Sequence, residues 1–341
     1  MLETIWFLLW GILWAIYFML DGFDLGLGAL APFIVNDENE KRVVYHSMEP
    51  MWDGNEVWLI TAGGVTFAAF PTTYAVMFNA LYTPLLLLLF GLILRGVALE
   101  FRNQVDAPAW RKLWDVCHFL GSFVPALLLG VAFANIFQGI PIDADGDFHG
   151  NLFTLLNPYG LLGGILFVLL FLVHGALWLA IKAESPLEDR AGKTAGTIWW
   201  PLLIVAVIFL VATWFATSLY ANYLSSPVLL VIPLVTVVAL LAVKLFVQKK
   251  AWWKAWAASS LTIVGATLFG VVGLYPNLFP SSMNPRFSLT IFNSASSPLT
   301  LKIMLGVALT FVPIVLVYQV WAYYLFKDKV TKEDLTSEEA Y

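Results

Sequence analysis

Pro84-Leu85-Leu86-Leu87-Leu88-Leu89-Phe90-Gly91-Leu92-Ile93-Leu94 is an unbroken apolar run that ends on Arg95. It shows none of the polar–apolar alternation that a half-buried strand requires. Leu202–Val211 is a second run of the same kind. An outer-membrane barrel reads as alternating segments of roughly 10 residues, and none are visible. Lipid offers no hydrogen bonds, so a spanning segment has to satisfy its own backbone, and helices are the architecture that remains. The composition agrees: the 341 residues are 60% hydrophobic and only 12% charged, with a mean hydropathy of +0.81. Soluble domains carry about 25% charged residues. Charge this sparse cannot coat a soluble globule, which excludes a soluble enzyme, a disordered chain and a nucleic-acid binder. The chain reads as an all-α polytopic membrane protein.

A bilayer core of about 30 Å takes about 20 apolar residues of helix. That measure predicts nine transmembrane helices, at 4–34, 52–71, 75–100, 113–138, 157–182, 197–220, 227–248, 254–276 and 300–326, within a single integral membrane domain over 1–341. Pro71-Thr72-Thr73 leaves room only for a tight helical hairpin, and 327–341 reads as a short charged tail. Of the 18 Lys and Arg, all but Arg286 and Lys302 then sort to one side. The positive-inside rule makes that side cytoplasmic, with the N-terminus outside and the C-terminus inside. Met1-Leu2-Glu3-Thr4 lacks a basic n-region, so the first apolar block reads as a retained helix. A weak internal echo places Asp21-Gly22 seventeen residues after Thr4 and His174-Gly175 seventeen after Asn157. It predicts a parallel repeat of two four-helix bundles plus one peripheral helix.

Ionisable groups inside spans cost about 2.5–3.5 kcal/mol each on insertion scales and often mark function. Asp21 and Asp24 are three residues apart and share a helix face, roughly 15–20 Å from the cytoplasmic end of span one. Asp53 and Glu56 share a face at the start of span two, and Arg95 lies about one and a half turns from the end of span three, ahead of Glu100. Asp115 and His118 open span four. All of these fall in the cytoplasmic half. A water-linked series of buried acids is how membrane proteins move protons. The functional reading is a half-channel running from the cytoplasm toward mid-membrane. The bland reading is that Arg95 neutralises Asp24 or Asp115 in a register-fixing pair, and that Asp53 and Glu56 favour a helix N-terminus.

His118 and His174 lie at similar depth, about 8 Å and about 13 Å from their cytoplasmic ends. Each suits a proton relay or an inter-helix hydrogen bond, and a bis-histidine haem between spans four and five stays open. His46 and His149 read as loop histidines. Asp143-Ala144-Asp145-Gly146-Asp147 hints at calcium, but an EF-hand loop from Asp143 needs Gly and Glu where this chain has Phe148 and Thr154. Cys117 is the one cysteine, which rules out an internal disulfide and a Cys-based metal centre within the chain. Tryptophans such as Trp110, Trp199 and Trp252 read as the interfacial belt. No G-x-x-x-x-G-K phosphate loop is present.

Asp21-Gly22-Phe23-Asp24-Leu25-Gly26 and the block Trp52-Asp53-Gly54-Asn55-Glu56-Val57-Trp58-Leu59-Ile60-Thr61-Ala62-Gly63-Gly64 carry a family resemblance. So do Arg95, Trp114-Asp115, Gly121-Ser122-Phe123-Val124-Pro125, Gly130-Val131-Ala132-Phe133, Leu156-Asn157-Pro158, Pro280-Ser281-Ser282 and Val330–Asp334. Along nearly its whole length the chain resembles subunit II of the cytochrome bd quinol oxidases, cyanide-insensitive relatives included. The resemblance implies a subunit of a terminal oxidase in the bacterial cytoplasmic (inner) membrane. Such a complex oxidises quinol and reduces dioxygen to water. Two haem b and one haem d sit in its subunit I partner, with no catalytic residue in this chain, often a very small accessory subunit, and in some members a structural quinone. By motif, Asp53 matches the proton-path acid, while Asp24, Arg95 and Asp115 match residues that shape the haem region. Glu56 stands where some relatives have Gln. The competing class is a proton-coupled secondary transporter, but transporters interrupt helices in both halves, and the second half here offers only His174.

Overall fold

The computed structural model describes residues 1–331 and 334–336. Thirteen α-helices follow one another among them: α1 (Leu2–Ile34), α2 (Glu38–Met48), α3 (Trp52–Ala69), α4 (Pro71–Ala80), α5 (Tyr82–Phe101), α6 (Pro108–Gln138), α7 (Leu152–Leu155), α8 (Pro158–Lys182), α9 (Leu187–Ala216), α10 (Tyr220–Ser225), α11 (Val231–Gln248), α12 (Trp252–Leu274) and α13 (Pro298–Leu325). Two short strands, β1 (Asn277–Phe279) and β2 (Leu289–Thr290), pair antiparallel in the loop before α13. Local chemistry sets the helix starts. Asn157 accepts from the Gly160 N–H and Ser297 from the Thr300 N–H, each followed by a proline at the first helical position.

Eight of the helices are long and apolar enough to cross a bilayer. The ninth expected span, α3, has 18 residues, and its first turns hold Asp53, Asn55 and Glu56. The hairpin expected at Pro71-Thr72-Thr73 is opened by α4, with breaks at Phe70 and Leu81, so the span expected at 75–100 is two helices. Pro71 starts a new helix instead of a turn because its fixed φ suits the first helical position. The span expected at 197–220 starts at Leu187 and ends at Ala216, because Leu187, Ala191 and Ala195 extend its buried face toward the basic end. The tail expected at 327–341 lies partly outside the described residues.

α1 is the central helix and packs on α3, α6, α8 and α12. α8 packs on α6, α9 and α12, α5 on α6, and α11 on α12. Glycines bring α1 and α8 into backbone contact. A Cβ on Gly26 would fall 1.7 Å from the Phe171 carbonyl oxygen, and one on Gly175 would fall 2.4 Å from the Leu27 nitrogen. Small residues at such crossings are how helices gain packing where lipid removes the hydrophobic driving force. α13 lies apart: Leu301 is its one buried residue, and it touches α1 and α3 only lightly.

Candidate functional site

The middle of α1 is where the sequence conflicts most with its surroundings. Asp21 and Asp24 are both buried in an otherwise apolar helix. Arg95 reaches Asp21 from α5, whose backbone packs close on α6: a Cβ on Gly121 of α6 would lie 2.6 Å from the Arg95 backbone nitrogen. The Arg95 Nη2 stands 2.7 Å from Asp21 Oδ1 and 2.8 Å from Glu56 Oε2. Only the Glu56 contact is aligned as a hydrogen bond. Both Asp21 oxygens, Asp24 Oδ1, the Tyr17 hydroxyl and the Arg95 Nε and Nη1 have no hydrogen-bond partner among the described residues. Two carboxyls, Asp21 and Glu56, therefore share one guanidinium, and buried Asp24 on the same helix face as Asp21 has the Asn55 amide as its partner. Arg95 can balance one of them, and an unbalanced buried charge is costly. An arrangement of this kind can take up and pass protons.

Asp24 is held by a chain that sequence reading missed. The Asn55 amide donates to Asp24 Oδ2 at 2.7 Å. The Asn55 carbonyl oxygen accepts from Gln319 Nε2 at 3.0 Å and from the Tyr323 hydroxyl at 2.8 Å. Two donors on that oxygen fix the amide so that its N–H faces Asp24. Gln319 and Tyr323 lie on α13, so the last helix is tied to the first acid pair across the sequence. Gln319 is a lone amide in an apolar helix, a signal that a search for charge passes over.

The other expected residues lie around this cluster or apart from it. Asp53 is exposed in the first turn of α3, one turn from Glu56. Glu100 is exposed at the end of α5. Asp115 is not paired with Arg95. It binds Lys41 at 2.7 Å, Arg102 Nε at 2.6 Å and the Tyr45 hydroxyl at 3.2 Å, at the basic end of the molecule. Arg102 also holds Glu38 through two nitrogens. Burial pulls the Arg102 guanidinium down, but its bonds to Glu38 and Asp115 outweigh that and hold it above its ordinary range. Burial, reinforced by the Asp115 carboxylate, pushes the Tyr45 hydroxyl up.

His174 uses both ring nitrogens, Nδ1 with Ser259 Oγ at 3.1 Å and Nε2 with the Met19 carbonyl at 3.0 Å, and stacks on Trp256. No nitrogen is left for a metal, so the bis-histidine haem left open by the sequence does not fit this geometry. His118 is buried beside Tyr45, its Nε2 without a partner among the described residues. In the 139–156 loop, hydrogen bonds from His149 and from the Asp147 backbone hold the Asp143 carboxyl below its usual range, and Asp143 also caps the Asp145 N–H.

An apolar cavity of about 580 Å³ separates α3 from α5 and is floored by α1 and α6. Gly63, Gly64, Leu85 and Leu89 line it, as does Trp14, whose indole N–H has no partner among the described residues. The cavity suits an extended apolar molecule with one acceptor.

Comparison with known proteins agrees with this architecture. The family described as cytochrome bd terminal oxidase subunit II matches residues 2–326. Cytochrome bd ubiquinol oxidase subunit 2 of Bacillus subtilis is 35% identical over 336 residues, covering 98% of this chain and 99% of the relative. Cytochrome bd-I ubiquinol oxidase subunit 2 of Escherichia coli is 36% identical over 369 residues, covering 98% and 96%. A chain in the structure of bd oxidase from Geobacillus thermodenitrificans superposes with a TM-score of 0.74 at 16% identity, covering 95% of this chain and 97% of that one.

Proposed function

This chain belongs to the cytochrome bd terminal oxidase subunit II family, and we propose that its share of the work is to carry protons inward through the Arg95 acid cluster. As a family member it is part of a multi-pass quinol oxidase complex of the bacterial inner membrane, which couples quinol oxidation to the reduction of dioxygen to water. The single observation that carries the assignment is the match over nearly the full length of both chains. The transporter reading is not favoured by any of these likenesses.

Within that role, protons enter at exposed Asp53, pass to Glu56 one turn further in, and reach the pair Asp21 and Asp24 beside Arg95. The reading rests on the burial of Asp21 and Asp24, on the excess of carboxyls over guanidinium, and on the atoms there that lack partners among the described residues. The chain is one integral membrane domain of nine spans, α4 and α5 forming one bent span, arranged as two four-helix bundles (α1, α3, α5, α6 and α8, α9, α11, α12) with α13 peripheral. The N-terminus is outside and the basic end faces the cytoplasm. Asp24 and Arg95 shape the inner cluster toward the haem-bearing partner, and Asp115 braces its basic end. His118, His174 and Glu100 are structural or lie beside the path.

Subunit I is the partner. The two haem b and one haem d belong there, as the family resemblance implies, and they supply the electron transfer and oxygen chemistry of the complex. α13, with a single buried residue, offers the complex a free face for subunit I or a very small accessory subunit. A structural quinone fits the 580 Å³ cavity, with the Trp14 N–H available to a quinone carbonyl. The test is to purify the complex in mild detergent through a tag on this chain and record its reduced-minus-oxidised spectrum. A larger membrane partner with haem b and haem d bands is expected. A colourless single polypeptide from haem-replete cells would overturn the assignment.

A further inference from the structure

A second cavity, of about 430 Å³, opens at the basic end between the last turns of α1, helix α2 and the first turns of α6. It is not the apolar space between α3 and α5, and its lining is graded. Lys41, Lys112 and Asp115 line it together with apolar Ala31, Val116 and Phe119. Its apolar side continues onto residues that face outward: Val116 is exposed, and Phe33, 78% exposed, packs its ring on Phe119.

The charge count is uneven. Lys41 is matched by Asp115 at 2.7 Å. Lys112 is exposed and has no ion pair among the described residues. Arg102, which also holds Asp115, is matched by Glu38, so the two ammonium groups against the one carboxylate leave one positive charge, which equals the charge of one phosphodiester. Below them His118, 2% exposed, also lines the cavity, and its Nε2 has no hydrogen-bond partner among the described residues. A buried polar atom without a partner is uncommon and points to a ligand or ordered water. The Tyr45 ring, 4.8 Å from His118, holds that imidazole in place.

A lysine pair at the level where helices leave the lipid, an apolar wall beneath it and an unpartnered imidazole at its base match one molecular shape. Basic pockets between transmembrane helices take anionic headgroups. We propose that this cavity binds one anionic phospholipid, its phosphodiester between Lys41 and Lys112, a glycerol or ester oxygen toward His118 Nε2, and an acyl chain along Val116 and Phe119. The site stands independently of the proton path, since it uses none of Asp21, Asp24, Asp53, Glu56 or Arg95.

The test uses the intact oxidase complex in phosphatidylcholine nanodiscs, with spin-labelled phosphatidylglycerol as the probe and native mass spectrometry to count retained lipid. One phosphatidylglycerol per complex is expected to bind in preference to labelled phosphatidylcholine. Lys112→Gln should weaken that binding about fivefold, the size of one lysine contact at a membrane surface. Val116→Trp, which fills the mouth from an exposed position, should abolish it and leave oxygen consumption unchanged. Lys193→Gln, an exposed lysine at the same end but outside the cavity, should leave it intact. Equal weakening by Lys193→Gln would overturn the site, as would unchanged binding in Val116→Trp. Displacement of the labelled lipid by inorganic phosphate alone would also overturn it, in favour of a soluble anion.

Discussion

The helices before residue 123 and those after residue 157 treat buried polar groups in opposite ways. In the later helices nearly all polar side chains of the interior answer to a partner: His174 to Ser259 and Met19, Tyr159 to Thr213, Tyr223 to the Phe269 carbonyl, and Trp199 to the Leu240 carbonyl. In the earlier helices some do, such as Trp10 with Thr66 and Asn55 with Asp24, but many do not. Among the described residues, every buried side-chain nitrogen or oxygen without a partner lies in the first 122 residues, apart from the Trp256 indole nitrogen. Satisfied buried groups fix a fold, while unsatisfied ones are costly unless something outside the chain meets them. The later region thus reads as a scaffold. The earlier one reads as a place where protons, water or a partner subunit complete the structure.

The largest expected effect is on the arginine. Arg95→Leu leaves Asp21, Asp24 and Glu56 without a counter-charge, at a cost of about 3–5 kcal/mol. The complex should be recovered with its haem spectrum reduced about tenfold or more, and normal assembly would break the contrast. Next is Asn55→Ala, which strips a bond from Asp24 and removes the acceptor for Gln319 and Tyr323. Each buried group left unpaired costs about 1–3 kcal/mol. The readout is a lower thermal midpoint together with a lower rate of oxygen consumption. In the scaffold half, His174→Ala should cost a similar 1–3 kcal/mol or so in stability while oxygen consumption per haem stays the same. A drop in turnover there would place function on both sides of the contrast. Smallest is Glu100→Gln, an exposed group away from the cluster, expected to shift stability by less than about 0.5 kcal/mol and turnover not at all.

Much of this was legible in the sequence, and the reasons differ by feature. Spans are written in composition, because lipid demands long apolar helices. Asp21, Asp24, Glu56 and Arg95 stand out because charge inside a span is expensive, and the structure brings them together. Partner choice was not legible. Asp115 could have met Arg95 on depth alone, yet it meets Lys41 and Arg102, because α2 folds back over that end. The link from Asp24 through Asn55 to Gln319 and Tyr323 joins residues far apart in the chain, all of them neutral beyond the aspartate. No local period records such a contact. The break at Leu81 was hidden too, since an apolar run reads the same whether its helix is straight or bent.

The central claim is that the exposed acid at the start of α3 feeds the buried cluster. It is tested most directly by oxygen consumption of the intact complex carrying Asp53→Asn, compared at equal haem content. The substitution keeps the shape of the side chain and removes only its ability to carry a proton. The account predicts turnover lowered about tenfold, equivalent to 1.36 kcal/mol on the barrier, with an unchanged haem spectrum and thermal midpoint. Turnover equal to that of the unmodified complex would contradict it.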